Sequence, residues 1–474
     1  MRRTITTLMI LAVGGLALAA RAADSGTANY YSTGQSHYKI SDDDDASGAA
    51  ESSTVANAVG TSQAAGQEKK ALYVAEKTKS AGELLQTNYF AAGNGCQDAC
   101  GCNNNCGCNG CNTCLSDCCC DCTTDGFRME WLGWFSRGRN TPPLVTTSPV
   151  GTPVINGGVP TAGVIAPGFA TSVLYGNDPI GTNLRNGGRL TYSHLFQDGI
   201  TSGTLRFWGI ENGSATFATN QTQTPIIGLP FNDTLLGVPN AYLAAHPDLT
   251  TSGDVRVLSK NSIIGADAYA SRNWYSDGYS SIDVLGGYQF ARLDDSIAIA
   301  TNSVTNGAAA LPNATINTFD SFRTQNEFHG GSFGFLAKSY RGPITLEGLF
   351  KVAAGNQRER VTISGNNTVS GLSTPGGIFT QPTNIGSVQQ NHFVFIPELN
   401  TNLVYNVNQS WRLTCGYTFI YWSRALLAGN QIDTNVNSSQ LFGGNLAGSA
   451  TPAPKFQRTD FWVQGISLGS EFRW

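Results

Sequence analysis

Charge is scarce in this chain. Of its 474 residues, 13% are Asp, Glu, Lys or Arg, against roughly 25% in an ordinary soluble domain. Histidine (5) and methionine (3) are rare as well. This poverty of charge excludes a charged cytosolic helical protein and a polybasic nucleic-acid binder. A helical membrane protein is also disfavoured, because no segment after the first twenty residues holds about 20 consecutive apolar residues. GxSxG, HExxH, P-loop and dinucleotide fingerprints are all missing, so no enzyme class is indicated.

Glycine is plentiful, at 55 residues, and aromatics make up 10%. Two classes fit: a secreted soluble β-protein, and a transmembrane β-barrel. The net charge of −4 is unevenly spread. Residues 1–22 carry Arg2, Arg3 and Arg21 and no acid, whereas residues 23–95 carry nine acids against five lysines.

The N-terminus reads as an export signal. Met1-Arg2-Arg3 precedes an apolar run from Thr4 to Ala20, and small-residue cleavage sites end at Ala19 and Ala22. The expected organisation is a signal peptide at 1–22, a disordered low-complexity region at 23–95, a Cys-rich segment at 96–122 and an outer-membrane barrel at 123–474. Region 23–95 has too few large apolar residues to offset chain entropy.

Eleven of the twelve cysteines crowd into the third segment: Cys96, Cys100, Cys102, Cys106, Cys108, Cys111, Cys114, Cys118, Cys119, Cys120 and Cys122. Disulfides are the default for an exported chain, so all eleven are disulfide candidates. An odd number leaves one thiol over or pairs it between chains. A four-cysteine zinc site is the open alternative. The run Cys108-x2-Cys111-x2-Cys114-x3-Cys118 has iron–sulfur spacing, but no proline follows and the cysteine density makes such a match cheap. No resident metal or cofactor is expected.

From Phe127 onward, apolar and polar residues alternate in segments separated by Gly/Asn/Pro/Thr loops. In the last segment Trp462, Ile466, Leu468, Phe472 and Trp474 share one parity, and Gly465, Gly469, Glu471 and Arg473 the other. The same period of two runs through Trp411–Tyr421, Ile344–Val352, Ile282–Phe290 and Phe393–Tyr405, and more weakly through Phe127–Phe135, Leu190–Phe196, Leu205–Phe207 and Ile264–Ala270. A barrel strand presents one parity to lipid and the other to the lumen. The expected fold is all-β, a transmembrane antiparallel barrel of about 12 strands, an even number between 10 and 14. A soluble sandwich, whose strands also alternate, is the alternative.

Short turns are expected at Asp198-Gly199, Arg341–Pro343 and Asn406–Gln409. Long loops are expected at 137–187, 212–254, 296–321, 364–390 and 424–459, the first able to fold inward. Pro397 is expected to mark a bulge or strand end, and Asp294-Asp295 to end a strand. Trp131, Trp134, Trp208, Trp274, Trp422 and Trp462 would suit interfacial girdles.

Several motifs carry a family resemblance. They are Phe127-Arg-Met-Glu-Trp131, Thr141 to Pro149, Gly187-Gly-Arg-Leu190, Phe319-Asp-Ser-Phe322, Gln325-Asn-Glu-Phe328, Gln381 to Gly386, Tyr417 to Trp422, Gln431-Ile-Asp433 and Thr459 to Gly465. Together they resemble the putative beta-barrel porin family, the seventh of that name, of planctomycete outer-membrane proteins, over about residues 127–474. The resemblance implies an outer-membrane barrel and carries over no catalytic residue.

On the polar parity lie the candidate lumen charges Arg189, Asp283, Glu347, Lys351, Glu398, Arg412 and Glu471. In an open pore they would set ion preference; in a narrow one they would pair and plug it. Phe472 and Trp474 form a C-terminal insertion signal. The expected function is passive diffusion of small solutes. The alternative is a structural envelope protein whose barrel anchors a disulfide-cross-linking arm; a secreted glycan-binding sandwich is a third reading. The expected partners are membrane lipid, the outer-membrane insertion machinery and neighbouring copies through disulfides, with no nucleic acid.

Overall fold

A computed structural model describes residues 125–474. The stretches expected to be a signal peptide (1–22), a low-complexity region (23–95) and a Cys-rich segment (96–122), with the eleven clustered cysteines, lie outside the described residues.

Ten antiparallel strands form a closed ring. They are β1 (Asp125–Ser136), β2 (Arg185–Leu195), β3 (Thr201–Asn220), β4 (Thr250–Ser276), β5 (Ser280–Thr305), β6 (Thr315–Arg341), β7 (Ile344–Val369), β8 (Gly386–Asn406), β9 (Trp411–Leu426) and β10 (Arg458–Arg473). Each strand pairs with its neighbours in sequence, and β1 closes on β10 with Phe127 opposite Phe472 and Trp131 opposite Leu468. Closure leaves no unpaired edge, which is the condition for spanning hydrocarbon with strands. The fold is therefore a transmembrane antiparallel β-barrel, with ten strands where the alternation suggested about twelve.

Short connections (196–200, 277–279, 342–343, 407–410) all lie at one rim, where β1 begins and β10 ends. Long ones lie at the other. Outward residues on the short-turn half are apolar: Phe127, Met129 and Trp131 on β1, Leu205 and Phe207 on β3, Phe333 and Phe335 on β6, Leu413 and Tyr417 on β9, and Ile466 and Leu468 on β10 are all exposed. On β8 this face runs from Phe393 to Tyr405. At ~3.3 Å per residue and a tilt near 40° that is about 30 Å, a hydrocarbon thickness.

Strands β4 to β7 continue past this belt for about as long again, each holding 26 or 27 residues. There the polarity inverts. Asp254, Arg256 and Lys260 face outward on β4 while Val255 and Val257 are buried inside, and on β5 Arg292 and Asp294 face outward while Ile297 and Ile299 are buried. The inversion corrects several expectations. Stretches 212–220, 250–254, 296–305, 315–321, 364–369 and 386–390 are strand, not loop, because beyond the lipid the outer face must be polar. Asp294 and Asp295 lie within β5 and do not end it.

Pro397 sits inside β8, paired opposite Val352 without a register shift. Its missing N–H shows on the other edge, where the ladder to β9 runs only from Asn406 to Glu398. Of the six girdle tryptophans, Trp131 and Trp274 are exposed, and Trp462 is half-buried on the lipid face. Trp134, Trp208 and Trp422 are instead buried in the lumen, because they fall on the inward parity of their strands. Cys415 is a free thiol on the lipid face.

Candidate functional site: the barrel lumen

The lumen is filled in layers. Nearest the short-turn rim lies a layer of charge. Arg189 on β2 grips Glu130 on β1 with two bonds, Nε to Oε2 at 2.6 Å and Nη2 to Oε1 at 2.7 Å, and its Nη1 donates to Thr418 on β9 at 3.1 Å. Arg206 on β3 donates through Nη1 and Nη2 to both oxygens of Glu398 on β8, at 2.6 and 2.7 Å, and through Nε to Asp267 at 2.9 Å. Lys351 on β7 bridges Asp267 and Glu398, the latter at 3.2 Å, with no solvent exposure of its side chain.

Nearer the rim, Arg128 on β1 meets Glu347 on β7 at 3.0 Å and Glu471 on β10 at 2.5 Å. Arg412 lies 3.8 Å from Glu471, and Asp283 takes Lys338 at 3.6 Å and the Asn273 amide at 2.7 Å.

All seven charges read from the sequence thus face inward, and the structure joins them to partners that the reading did not single out: Arg128, Glu130, Arg206, Asp267 and Lys338. The signal was present, since each sits on the polar parity of its own strand. What no local pattern shows is which strand lies opposite. In a ring of ten, β3 and β8 are diametrically opposed, and the Arg206–Glu398 pair crosses the whole lumen.

Above the charges is an apolar layer. Trp134, Trp208, Phe328, Trp422 and Phe461 are buried there with Leu132, Ile263, Leu293, Val394 and Ile396. The Trp134 and Trp208 rings lie 5.3 Å apart. The chain leaving β9 then crosses the lumen toward β5 and β6. Asn326 Oδ1 accepts from the Leu426 N–H at 2.7 Å, and Asp295 Oδ2 from the Ala428 N–H at 2.9 Å. Asp295 is also paired with Arg139, from the inward-folded loop after β1.

Higher still, segments from several long loops bring Leu144, Val145, Ile227, Leu229, Phe379 and Ile432 against the inward Val257, Ile299, Phe322 and Val361. Asp320 pins one of them: Oδ2 accepts from the Ile378 N–H at 3.0 Å, and Oδ1 from the Phe379 N–H at 2.9 Å and the Thr380 N–H at 2.8 Å. Asp320 lies well above the lipid belt, and burial raises its pKa above the ordinary carboxylate value, against these hydrogen bonds and that of the Thr380 hydroxyl.

The histidine-containing dipeptides are separated by the pleat. Ser193 faces the lumen and His194 the outside, its Nδ1 3.0 Å from Asp125. His392 bonds Gln390 at 3.2 Å, and His329 bonds the Tyr288 hydroxyl at 2.5 Å.

The family model of Putative beta barrel porin-7 matches residues 127–474. No curated protein matches the chain. Among solved structures, the outer membrane protease OmpT from Escherichia coli is similar at 8% identity, covering 74% of this chain and 97% of that one, with a TM-score of 0.35. The Pseudomonas putida toluene transporter TodX covers 73% and 89% at 7% identity and a TM-score of 0.18. A Pseudomonas aeruginosa FadL homologue covers 74% and 90% at 10% and 0.18.

Proposed function

The chain belongs to the putative beta barrel porin-7 family, and from that premise we propose that it is an outer-membrane barrel that serves as an anchor, with its lumen held shut by its own side chains. The observation that carries this reading is the bidentate Arg206–Glu398 pair between diametrically opposed strands. A water-filled pore keeps its lining wet. Here Lys351, Glu398 and Asp267 are buried, as are the tryptophans above them. Burying such charges is tolerable only because each is paired.

As an anchor, the barrel would hold at its short-turn rim the chain that precedes Asp125. The Cys-rich segment 96–122 would there cross-link neighbouring copies through disulfides. Family membership and the apolar belt support an outer-membrane location, with the long loops outward. Phe472 and Trp474 face lipid with rings 5.7 Å apart and stacked, which supports a role as the signal read by the insertion machinery.

Passive diffusion of small solutes is the second reading, favoured by the family's porin character. It would require the segment after β9 to leave the lumen and the charge layer to part. The test is single-channel recording of the purified protein in a planar bilayer, with insertion checked independently. Silence is expected. Stable ohmic steps from the unmodified protein would overturn the anchor reading.

A further inference from the structure

The outer wall above the lipid belt carries a cluster of cations that the anchor reading does not use. Lys260 on β4, Arg292 on β5, Arg323 on β6 and Arg358 and Arg360 on β7 all point outward. The register places them side by side. Lys260 and Arg323 both pair with Ser296, so they flank it in one row. In the next row toward the membrane, Arg360 lies opposite Gln325, and in the one after it Arg292 and Arg358 flank Glu327. Residues of these rows line a depression of about 580 Å³.

The acceptors already present are mostly neutral. Gln389 Oε1 takes both Arg358 Nη2 at 2.9 Å and Arg360 Nη2 at 3.1 Å. With its amide oxygen turned to Arg292, Gln325 accepts from Nε at 3.2 Å and Nη2 at 2.9 Å. The ion pairs on this face are Arg292–Asp294 and His329–Glu327. Lys260, Arg323, Arg358 and Arg360 have no carboxylate in ion-pair range among the described residues. Toward the membrane the same strands turn apolar: Ile264 on β4 is level with Arg292, Phe290 on β5 lies one row lower, and Phe333 on β6 and Val352 on β7 lie three rows below Glu327 and Arg358.

We propose that this cluster binds the phosphorylated headgroup of an outer-leaflet lipid whose acyl chains lie along the belt beneath it. Guanidinium groups match phosphate oxygens in charge and in bidentate geometry. The height is that of a headgroup, one to three rows above the row that holds Phe290 on β5 and Phe393 on β8 in the belt. Two arginines sharing one amide oxygen are undersupplied with acceptors, and a phosphate would supply them. The proposal rests on the long-loop rim facing outward and is independent of whether the lumen conducts.

The test uses the full-length protein in detergent, with retention of diphosphorylated lipid A, phosphatidylcholine and inorganic phosphate compared by native mass spectrometry. Lipid A retention at least tenfold above phosphatidylcholine is expected. The triple variant Lys260→Gln, Arg323→Gln, Arg360→Gln should lose most of that preference, while Arg272→Gln, an outward cation near the opposite rim, should keep it. Folding is checked by the faster migration of the unheated barrel on a denaturing gel. Unchanged retention by the folded triple variant would overturn the proposal. Competition by inorganic phosphate at equal concentration would assign the cations to a soluble anion and overturn the lipid assignment. Loss of lipid without change in conductance separates this result from the anchor reading.

Discussion

Substituting Lys351 tests whether the lumen is dry. In Lys351→Met the aliphatic stem is retained and the ammonium removed, so Asp267 and Glu398 are left to share Arg206. The four-group layer is then one negative charge in excess, inside a barrel where the Lys351 and Asp267 side chains have no solvent exposure. Breaking one partner of a buried ion-pair network costs about 3–5 kcal/mol. A second substitution, Glu398→Gln, restores charge balance by leaving the Arg206–Asp267 pair, whose Nη2 and Oδ2 lie 2.8 Å apart. The double variant should therefore recover a large part of the loss, giving a coupling of at least ~1 kcal/mol. The assay is urea unfolding of the barrel in lipid vesicles, read by tryptophan fluorescence. In a hydrated channel the same pairs would be screened and worth roughly 0–1 kcal/mol. A single variant that costs less than that, with no recovery in the double, would refute the dry, occluded lumen and favour the diffusion reading.

Three further outcomes are expected. Asp320→Asn turns an amide toward N–H donors that now meet carboxylate oxygens and should cost about 1–3 kcal/mol. Because burial raises the Asp320 pKa in the folded state, the advantage of the wild type over this variant should be fully present below the ordinary carboxylate value and shrink as pH rises through the raised one. Thermal unfolding across that window measures it, and an advantage that grows with pH would mean the four donors outweigh desolvation. Gly287 faces the lumen where an added Cβ would lie 2.5 Å from the Tyr269 Cβ, so Gly287→Leu should slow or block barrel closure, read as loss of the fast-migrating unheated band. Removing Trp474 together with Phe472→Ala should reduce the protein recovered in outer-membrane fractions several-fold while detergent refolding of the purified chain persists; equal recovery would deny these rings a signalling role.

How much of this was legible beforehand differs from one residue to the next. Lipid contact is a local demand: it requires an apolar side chain at every second position. Period-two alternation therefore marked the lipid face of β7, β8, β9 and β10, and with it the inward parity of Glu347, Lys351, Glu398, Arg412 and Glu471. The demand stops where the lipid stops. Past that level β4 to β7 carry polar residues outward and apolar ones inward, so from sequence the upper wall looked like loop, and Asp294-Asp295 looked like a strand end.

The sequence by itself determined a barrel with short turns at one rim, an apolar belt and a lumen lined by charges of both signs, because each is set by a residue and its near neighbours. Only the tertiary structure decided that ten strands close the ring, that Arg206 therefore faces Glu398 across it, and that Trp134, Trp208 and Trp422 fill the space above. Those contacts join residues far apart in the chain, and their distances depend on the circumference of the closed sheet, a property no single strand carries.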